Sequence, residues 1–429
     1  MTQKQTIYLA APGFQSVDNW MPIAYEQFKS DNENVILLFP YFWVLELIPQ
    51  NDLLVRMIRE LQIPVSLPLF GSKRFLLFQS IDDARTYILL SRTIRNIVVR
   101  RLSLNKSSIT ELIRQLSTLA TSCSVLVKLR FLRFQKRGVM VWDLLNIQSE
   151  QAEQLRNVSI RTDKWRRISI NVSPIYAERP TLEGKRATAN DYAISFSEEQ
   201  SNLLRKQYAI DETKIYKTPV PRHSTSWIQF LQRFSLSQIC IDMKFVLLVS
   251  RGADPPLLTY EEKMLIFSTI IKQICGVNKL KLLVKLHPNE NQESFHKDLE
   301  FIKLKYGLGE SLLRNVSLTH EHILVIAAQA EFGIAYFSGT IADMVRVGCP
   351  AVQFLPFNDH DGNELEAEKL LLDKGMAEMV KSIDAFAPTV DQIIDNRAKK
   401  LSDQKLAYDR YFYSGESSLL PFTIDSVSM

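Results

Sequence analysis

Short apolar runs closed by Pro, Gly or polar turns recur along the chain, with amphipathic stretches between them. Thr6–Ala11 is such a run and predicts a strand, stopped by Pro12-Gly13. The polar stretch from Gln15 to Trp20 reads as a loop, and Pro22–Phe28 as a helix with Ile23 and Phe28 inward. Asn34–Phe39 predicts a second strand, Leu53–Leu61 a helix and Ile63–Leu67 a short strand. Residues 80–120 read as helical, and Val139–Trp142 as a strand that stops at Asp143. Ile194–Phe196 is another strand. Ser197 follows as an N-cap, with Gln200 three residues on, and the helix they open runs to about Tyr208. Lys214–Lys217 predicts a strand, broken by Pro219 and Pro221. Alternation of strand and helix is the pattern of a parallel α/β sheet.

The second half repeats it. Phe245–Val249 is a strand ending in the polar turn Ser250-Arg251-Gly252, and Leu258–Ile274 is a long amphipathic helix. Lys281–Leu286 is a strand closed abruptly by His287-Pro288. Gly333–Phe337 is a strand, Ser338-Gly339-Thr340 a turn, Ile341–Val347 a helix and Cys349–Leu355 a further strand. Helices are expected over Leu324–Ala330 and Asp384–Ile394. These elements predict two Rossmann-like α/β domains. The first would span 1–235 and the second 236–400, with residues 401–429 as a last helix and tail.

Composition narrows the class. The chain has 429 residues, 46% of them apolar, with plentiful aromatics and only 14 glycines, which excludes disordered and fibrous proteins. Its four cysteines (123, 240, 275 and 349) lack CxxC or metal spacing and read as reduced thiols, so a cytoplasmic protein is expected. The first residues do not form a signal-peptide pattern, and no run reaches membrane-spanning length. Net charge is +5, too modest to mark a nucleic-acid binder, and no nucleic acid is expected as partner. Basic residues crowd 92–137 among Leu and Phe, among them Arg130, Arg133 and Arg137. That surface suits peripheral contact with an anionic inner membrane or an acidic glycan. A solvated helix face is the competing reading.

Candidate chemistry sits at strand ends. Asp18, the first acid beyond the first strand, and Asp143 are the candidate general bases, each with capping or a surface position as alternative. Arg251 has the forked donors that match a phosphate, or pairs with Asp254. Asp359, His360, Asp361 and Glu364 resemble a metal cluster in composition. Acids at the front of a helix are the favoured reading, with contact of Asn363 or Glu364 with a sugar or ribose as the functional alternative. No metal is firmly predicted, and His320 with His322 lacks a third ligand nearby.

His287-Pro288 after a strand, then Ser338-Gly339-Thr340 before a helix, resemble the HP and Ser/Ser-Thr motifs of bacterial surface-polysaccharide glycosyltransferases. These include sialyltransferase, polysialyltransferase and Kdo-transferase types that use CMP-sugars, and teichoic-acid polymerases that use CDP-glycerol. The resemblance covers Phe245–Phe357. It implies the GT-B arrangement of two Rossmann-like domains facing a cleft, 1–235 binding the acceptor and 236–400 the donor, with 401–429 returning to the first domain. It implies a nucleotide-sugar donor, CMP-linked before CDP or UDP. It implies a glycan or glycolipid acceptor, and capsule or lipopolysaccharide synthesis at the cytoplasmic face. His287, with Pro288, would touch the nucleotide, and Ser338, Gly339 and Thr340 its phosphate. Ser414-Gly415-Glu416-Ser417-Ser418 resembles the family's small C-terminal segment and would lie near a phosphate. The glycine usual before the family's proline is missing around Pro219, where Thr218 and Val220 stand. UDP-N-acetylhexosamine 2-epimerases share the architecture, the HP and a Ser-Gly pair. Their second motif carries acids directly after the glycines, whereas Ile341-Ala342 follow Thr340 here, with Asp343 the one nearby acid. A non-catalytic scaffold or an RNA-binding protein on the same fold is the third alternative.

Overall fold

In the computed structural model, strands form where apolar runs meet abrupt polar stops. The structure describes residues 6–11, 14–30, 34–39, 52–68, 75–89, 130–131, 138–143, 165–170, 191–235, 244–253, 258–287, 290–336, 338–357 and 375–415. Among these, the first sheet holds β1 (Thr6–Ala10), β2 (Asn34–Leu38), β3 (Val65–Pro68), β4 (Phe75–Phe78), β5 (Arg130–Phe131), β6 (Gly138–Asp143), β7 (Trp165–Ile170), β8 (Asp191–Ser195) and β9 (Ile215–Lys217). The order across the sheet is β5-β4-β3-β2-β1-β6-β7-β8-β9. The body from β3 to β8 is parallel, and β4 and β5 add an antiparallel edge. The chain winds outward from β1 to β3, then crosses to β6 on the other side of β1.

The second sheet repeats that winding. It holds β10 (Phe245–Val249), β11 (Lys281–Lys285), β12 (Val316–Leu318), β13 (Gly333–Ala335), β14 (Ala351–Phe354) and β15 (Glu378–Val380). Their order is β12-β11-β10-β13-β14-β15, with every pairing parallel. All five residues of β10 are buried. That is why its sequence is a continuous apolar run rather than an alternation. Gly333 on β13 gives the following helix, Thr340–Arg346, a close approach: a Cβ there would collide with the Met344 sulfur.

The chain divides into two compact units that part within β8, between Ala193 and Ile194, so residues 194–235 group with the C-terminal part. In that unit the last helix, Arg397–Tyr411, leads back to the segment after β8. Tyr413 N–H donates to the Phe196 carbonyl at 2.9 Å, and the Tyr413 hydroxyl to Glu198 at 2.8 Å. The Ser197 cap forms as the sequence predicts. Its hydroxyl accepts from Gln200 N–H at 3.1 Å, and Gln200 reaches back to accept from Phe196 N–H at 2.6 Å.

One element differs in a way that bears on function. The stretch expected as a loop before Pro22 is helical, because the helix spans Phe14–Ser30 with Pro22 inside it. Val17, Trp20, Met21 and Ala24 recur at helical spacing and are all buried, and the Trp20 indole donates to the Ala10 carbonyl at 2.8 Å. Asp18 therefore sits on a helix, not in a loop beyond the strand. Among the described residues no helix is long and apolar enough to cross a membrane.

Candidate functional site

In each sheet the winding direction reverses between two neighbouring parallel strands, β1 and β6 in the first, β10 and β13 in the second. Ligands of open α/β sheets sit outside the carboxyl ends of strands at such a reversal. The second sheet brings most of the expected residues there. Arg251 follows β10. His287 follows β11, the neighbour of β10 on one side. Ser338-Gly339-Thr340 follow β13, its neighbour on the other. Three turns from widely separated parts of the sequence thus leave one edge side by side.

Glu290 ties two of them. The segment from His287 to Glu290 closes on itself, with Glu290 N–H donating to the His287 carbonyl at 2.8 Å. One carboxylate oxygen of Glu290 accepts from His287 N–H at 2.9 Å. The other accepts from the Ser250 hydroxyl at 3.0 Å and from Lys263 at 2.8 Å. Lys263 also donates to Asp298 at 2.6 Å, and Asp298 accepts from the Tyr260 hydroxyl at 3.0 Å. The Lys263, Glu290 and Asp298 side chains are only 6%, 5% and 7% exposed, so this is a buried cation between two carboxylates. Burial by itself lowers the Lys263 ammonium. The charge of Glu290, then Tyr336 and Asp298, outweigh it and hold Lys263 well above its ordinary value. Tyr336, at the end of β13, brings in the third turn. Its hydroxyl lies 3.4 Å from that of Ser250, and burial pushes the phenol up to about 12.

The Ser338 and Thr340 hydroxyls lie 2.8 Å apart, and Ser338 accepts from Thr340 N–H at 3.3 Å. Gly339 has an ordinary helical φ of −65°, so glycine is not demanded by the backbone there. One turn further along, Asp343 is wholly buried. It accepts from Arg222 at 2.8 Å and from His223 Nε2 at 2.6 Å, while His223 Nδ1 lies 2.6 Å from the Tyr408 hydroxyl. Arg346 donates to the His223 carbonyl at 2.8 Å. Asp343 only accepts, so Nε2 carries the proton and Nδ1 takes that of Tyr408. Burial lowers the His223 imidazole below its ordinary value, against the pull of Asp343. The helix opened by Ser338-Gly339-Thr340 is thereby clasped to residues 222–223 and to the last long helix.

Arg251 and His287 are half-buried and Asp18 is half-buried on its helix. Asp143 is the last residue of β6, at the reversal of the first sheet, with its backbone opposite Ile170. Pro288, Glu364 with the acids around it, most of the basic region 92–137 and the serines after Gly415 lie outside the described residues. Among the described residues, no group of three or more His, Cys, Asp and Glu gathers as metal ligands do.

Sequence reading missed Glu290, Lys263 and His223. A signal existed for Glu290, which stands three residues after His287, the spacing at which a side chain reaches back to a turn's first N–H. Lys263 is a lone cation beside Met264, Ile266, Phe267, Ile270 and Ile271 on the inner face of its helix, a pattern that calls for a buried partner.

No family model matches the chain, and no curated protein matches it significantly. Solved structures do. The wall teichoic acid polymerase TagF superposes with a TM-score of 0.52 at 10% identity, over 95% of this chain and 84% of that one. A putative UDP-N-acetylglucosamine 2-epimerase from Listeria monocytogenes gives 0.53 at 10% identity, over 95% and 92%. MnaA of S. aureus, in its UDP co-structure, gives 0.50 at 10% identity, again over 95% and 92%. At such identities the likeness establishes the fold. The chain has the GT-B fold, α/β with two Rossmann-like parallel sheets.

Proposed function

We propose that the protein is a glycosyltransferase that moves a sugar from a nucleotide-activated donor to a glycan or glycolipid acceptor in surface-polysaccharide synthesis. The single observation that carries this is the convergence of the turns after β10, β11 and β13 at the winding reversal of the second sheet. Arg251, His287, Ser338 and Thr340 would bind the nucleotide and offset the charge that grows on its phosphate as the glycosidic bond breaks. A carboxylate, Asp143 or Asp18, would take the proton of the acceptor hydroxyl. The motif resemblance favours a CMP-linked donor. Contact of the basic 92–137 region with an anionic membrane belongs to the same reading.

Melting curves with CMP, CDP and UDP test it, since a ligand at 100 times its Kd stabilises by about 2.7 kcal/mol. Stabilisation by one of the three, lost in His287→Ala, supports the reading. No stabilisation by any of them refutes it. The likeness to the Listeria epimerase supports a second reading, a UDP-N-acetylhexosamine 2-epimerase. Incubation with UDP-N-acetylglucosamine and no acceptor separates the two, because only an epimerase yields the 2-epimer.

A further inference from the structure

We propose that Glu290, braced by Lys263, is the positioning residue that fixes the turn carrying His287 against the turn carrying Arg251, so that one phosphate-bearing ligand meets both. The inference rests on the nucleotide reading above and adds a residue that the motif does not contain. Its two oxygens divide the work. One takes the His287 N–H at 2.9 Å and the other the Ser250 hydroxyl at 3.0 Å, so a single planar group sets the spacing of two turns that leave neighbouring strands. Neither donor belongs to a helix or a sheet ladder. Packing alone does not call for this arrangement, because apolar side chains of similar volume stabilise a buried site as well as an ion pair does. A carboxylate adds direction. Lys263 supplies the reason the carboxylate tolerates burial, and Asp298 on its far side fixes the ammonium in turn.

Glu290→Gln is the selective perturbation. Lys263 keeps Asp298 as counter-ion, so the buried charges then balance one to one and the variant retains a reason to fold. The ammonium and the Ser250 hydroxyl both donate to the same oxygen. They draw the amide oxygen toward themselves and turn the NH2 against His287 N–H. Two donors then face each other, and the His287 turn is released while the rest of the network stays.

Two measurements follow, calorimetric titration with CMP, CDP and UDP, and amide exchange at His287 by NMR. The proposal expects Glu290→Gln to melt near wild type, to bind nucleotide at least ten-fold more weakly, and to exchange the His287 amide at least ten-fold faster. Combined with His287→Ala it should weaken binding no further than His287→Ala alone, because Glu290 acts through that turn. Wild-type affinity in Glu290→Gln beside a weakened His287→Ala overturns the positioning role and leaves the nucleotide site standing. Losses that multiply in the double variant overturn it too. If the wild type binds none of the three nucleotides, it is the nucleotide reading that fails. Unchanged His287 exchange in Glu290→Gln then overturns the tie, and faster exchange upholds it. Should Glu290→Gln not fold, Ser250→Ala removes one leg and keeps the ion pair. An affinity loss of three-fold or more supports the proposal, and an unchanged affinity refutes it.

Discussion

Asp343→Asn separates charge from shape in the clasp beneath the Ser338-Gly339-Thr340 turn. Asp343 is fully buried, and its partners Arg222 and His223 have side chains only 11% and 2% exposed. An asparagine keeps every hydrogen bond. Its oxygen can accept from Arg222 while its NH2 donates to His223 Nε2, provided the imidazole shifts its proton to Nδ1 and donates to Tyr408. What it removes is the counter-charge of a guanidinium that already has a buried, unpartnered Nε. Stripping one partner from a buried pair costs about 3–5 kcal/mol, and the slight exposure of Arg222 places this case at the lower end, about 3 kcal/mol. For a unit of this size each kcal/mol moves the midpoint by roughly 2–4 °C, so differential scanning calorimetry should show a fall of about 6–12 °C. Arg222→Leu added to Asp343→Asn removes the stranded charge and should restore at least half of the loss. As control, Glu293→Gln breaks an exposed pair with Lys297 and should cost under about 0.5 kcal/mol. An Asp343→Asn protein within about 1 kcal/mol of wild type, or no recovery with Arg222→Leu, would refute the assignment of a buried ion pair.

Three further expectations concern the same unit. Burial lowers the His223 imidazole from its ordinary 6.5, so the unfolded chain takes up the proton more readily than the folded one. The stability His223 contributes is full above pH 6.5 and is lost as pH falls below it, at no more than about 1.4 kcal/mol per pH unit. Urea titrations should therefore show wild type declining from pH 7.5 to 5.5 more steeply than His223→Gln, and parallel curves would contradict this. Gly333→Ala should cost about 1–3 kcal/mol in the same assay, because the new methyl collides with buried Met344; a neutral outcome would mean that the helix Thr340–Arg346 yields freely. Gln404 accepts from Ala351 N–H at 2.8 Å and donates to its carbonyl at 2.9 Å, so Gln404→Leu strands two buried backbone groups and should cost about 2–4 kcal/mol by chemical denaturation.

Much of this fold is legible in the sequence because buried parallel strands are written as continuous apolar runs. Phe245–Val249 and the stop at His287 are read directly, and so is the Ser197–Gln200 cap. The strands β12 and β15 are not, since each has three residues with a single buried one and no period can show in so short a stretch. The helix Phe14–Ser30 is misjudged at its start because Pro22 looks like a first-turn residue, while the inward face from Val17 to Ala24 needs the core to explain it. At the candidate site the turns are legible and their coupling is not. Glu290 binding Ser250 across 40 positions, and Asp343 binding His223 across 120, depend on strand order, which periodicity does not encode.

The turns after β10, β11 and β13 are proposed to form one nucleotide site. Hydrogen exchange read by mass spectrometry, with and without saturating CMP, CDP or UDP, puts this to the test. Exchange should slow in the peptides covering Ser250–Gly252, His287–Asn291 and Ser338–Ala342 together. The helix Ile383–Asp395, which carries none of these turns, should stay unchanged. Protection confined to one of the three turns, or centred on the first sheet instead, would contradict it.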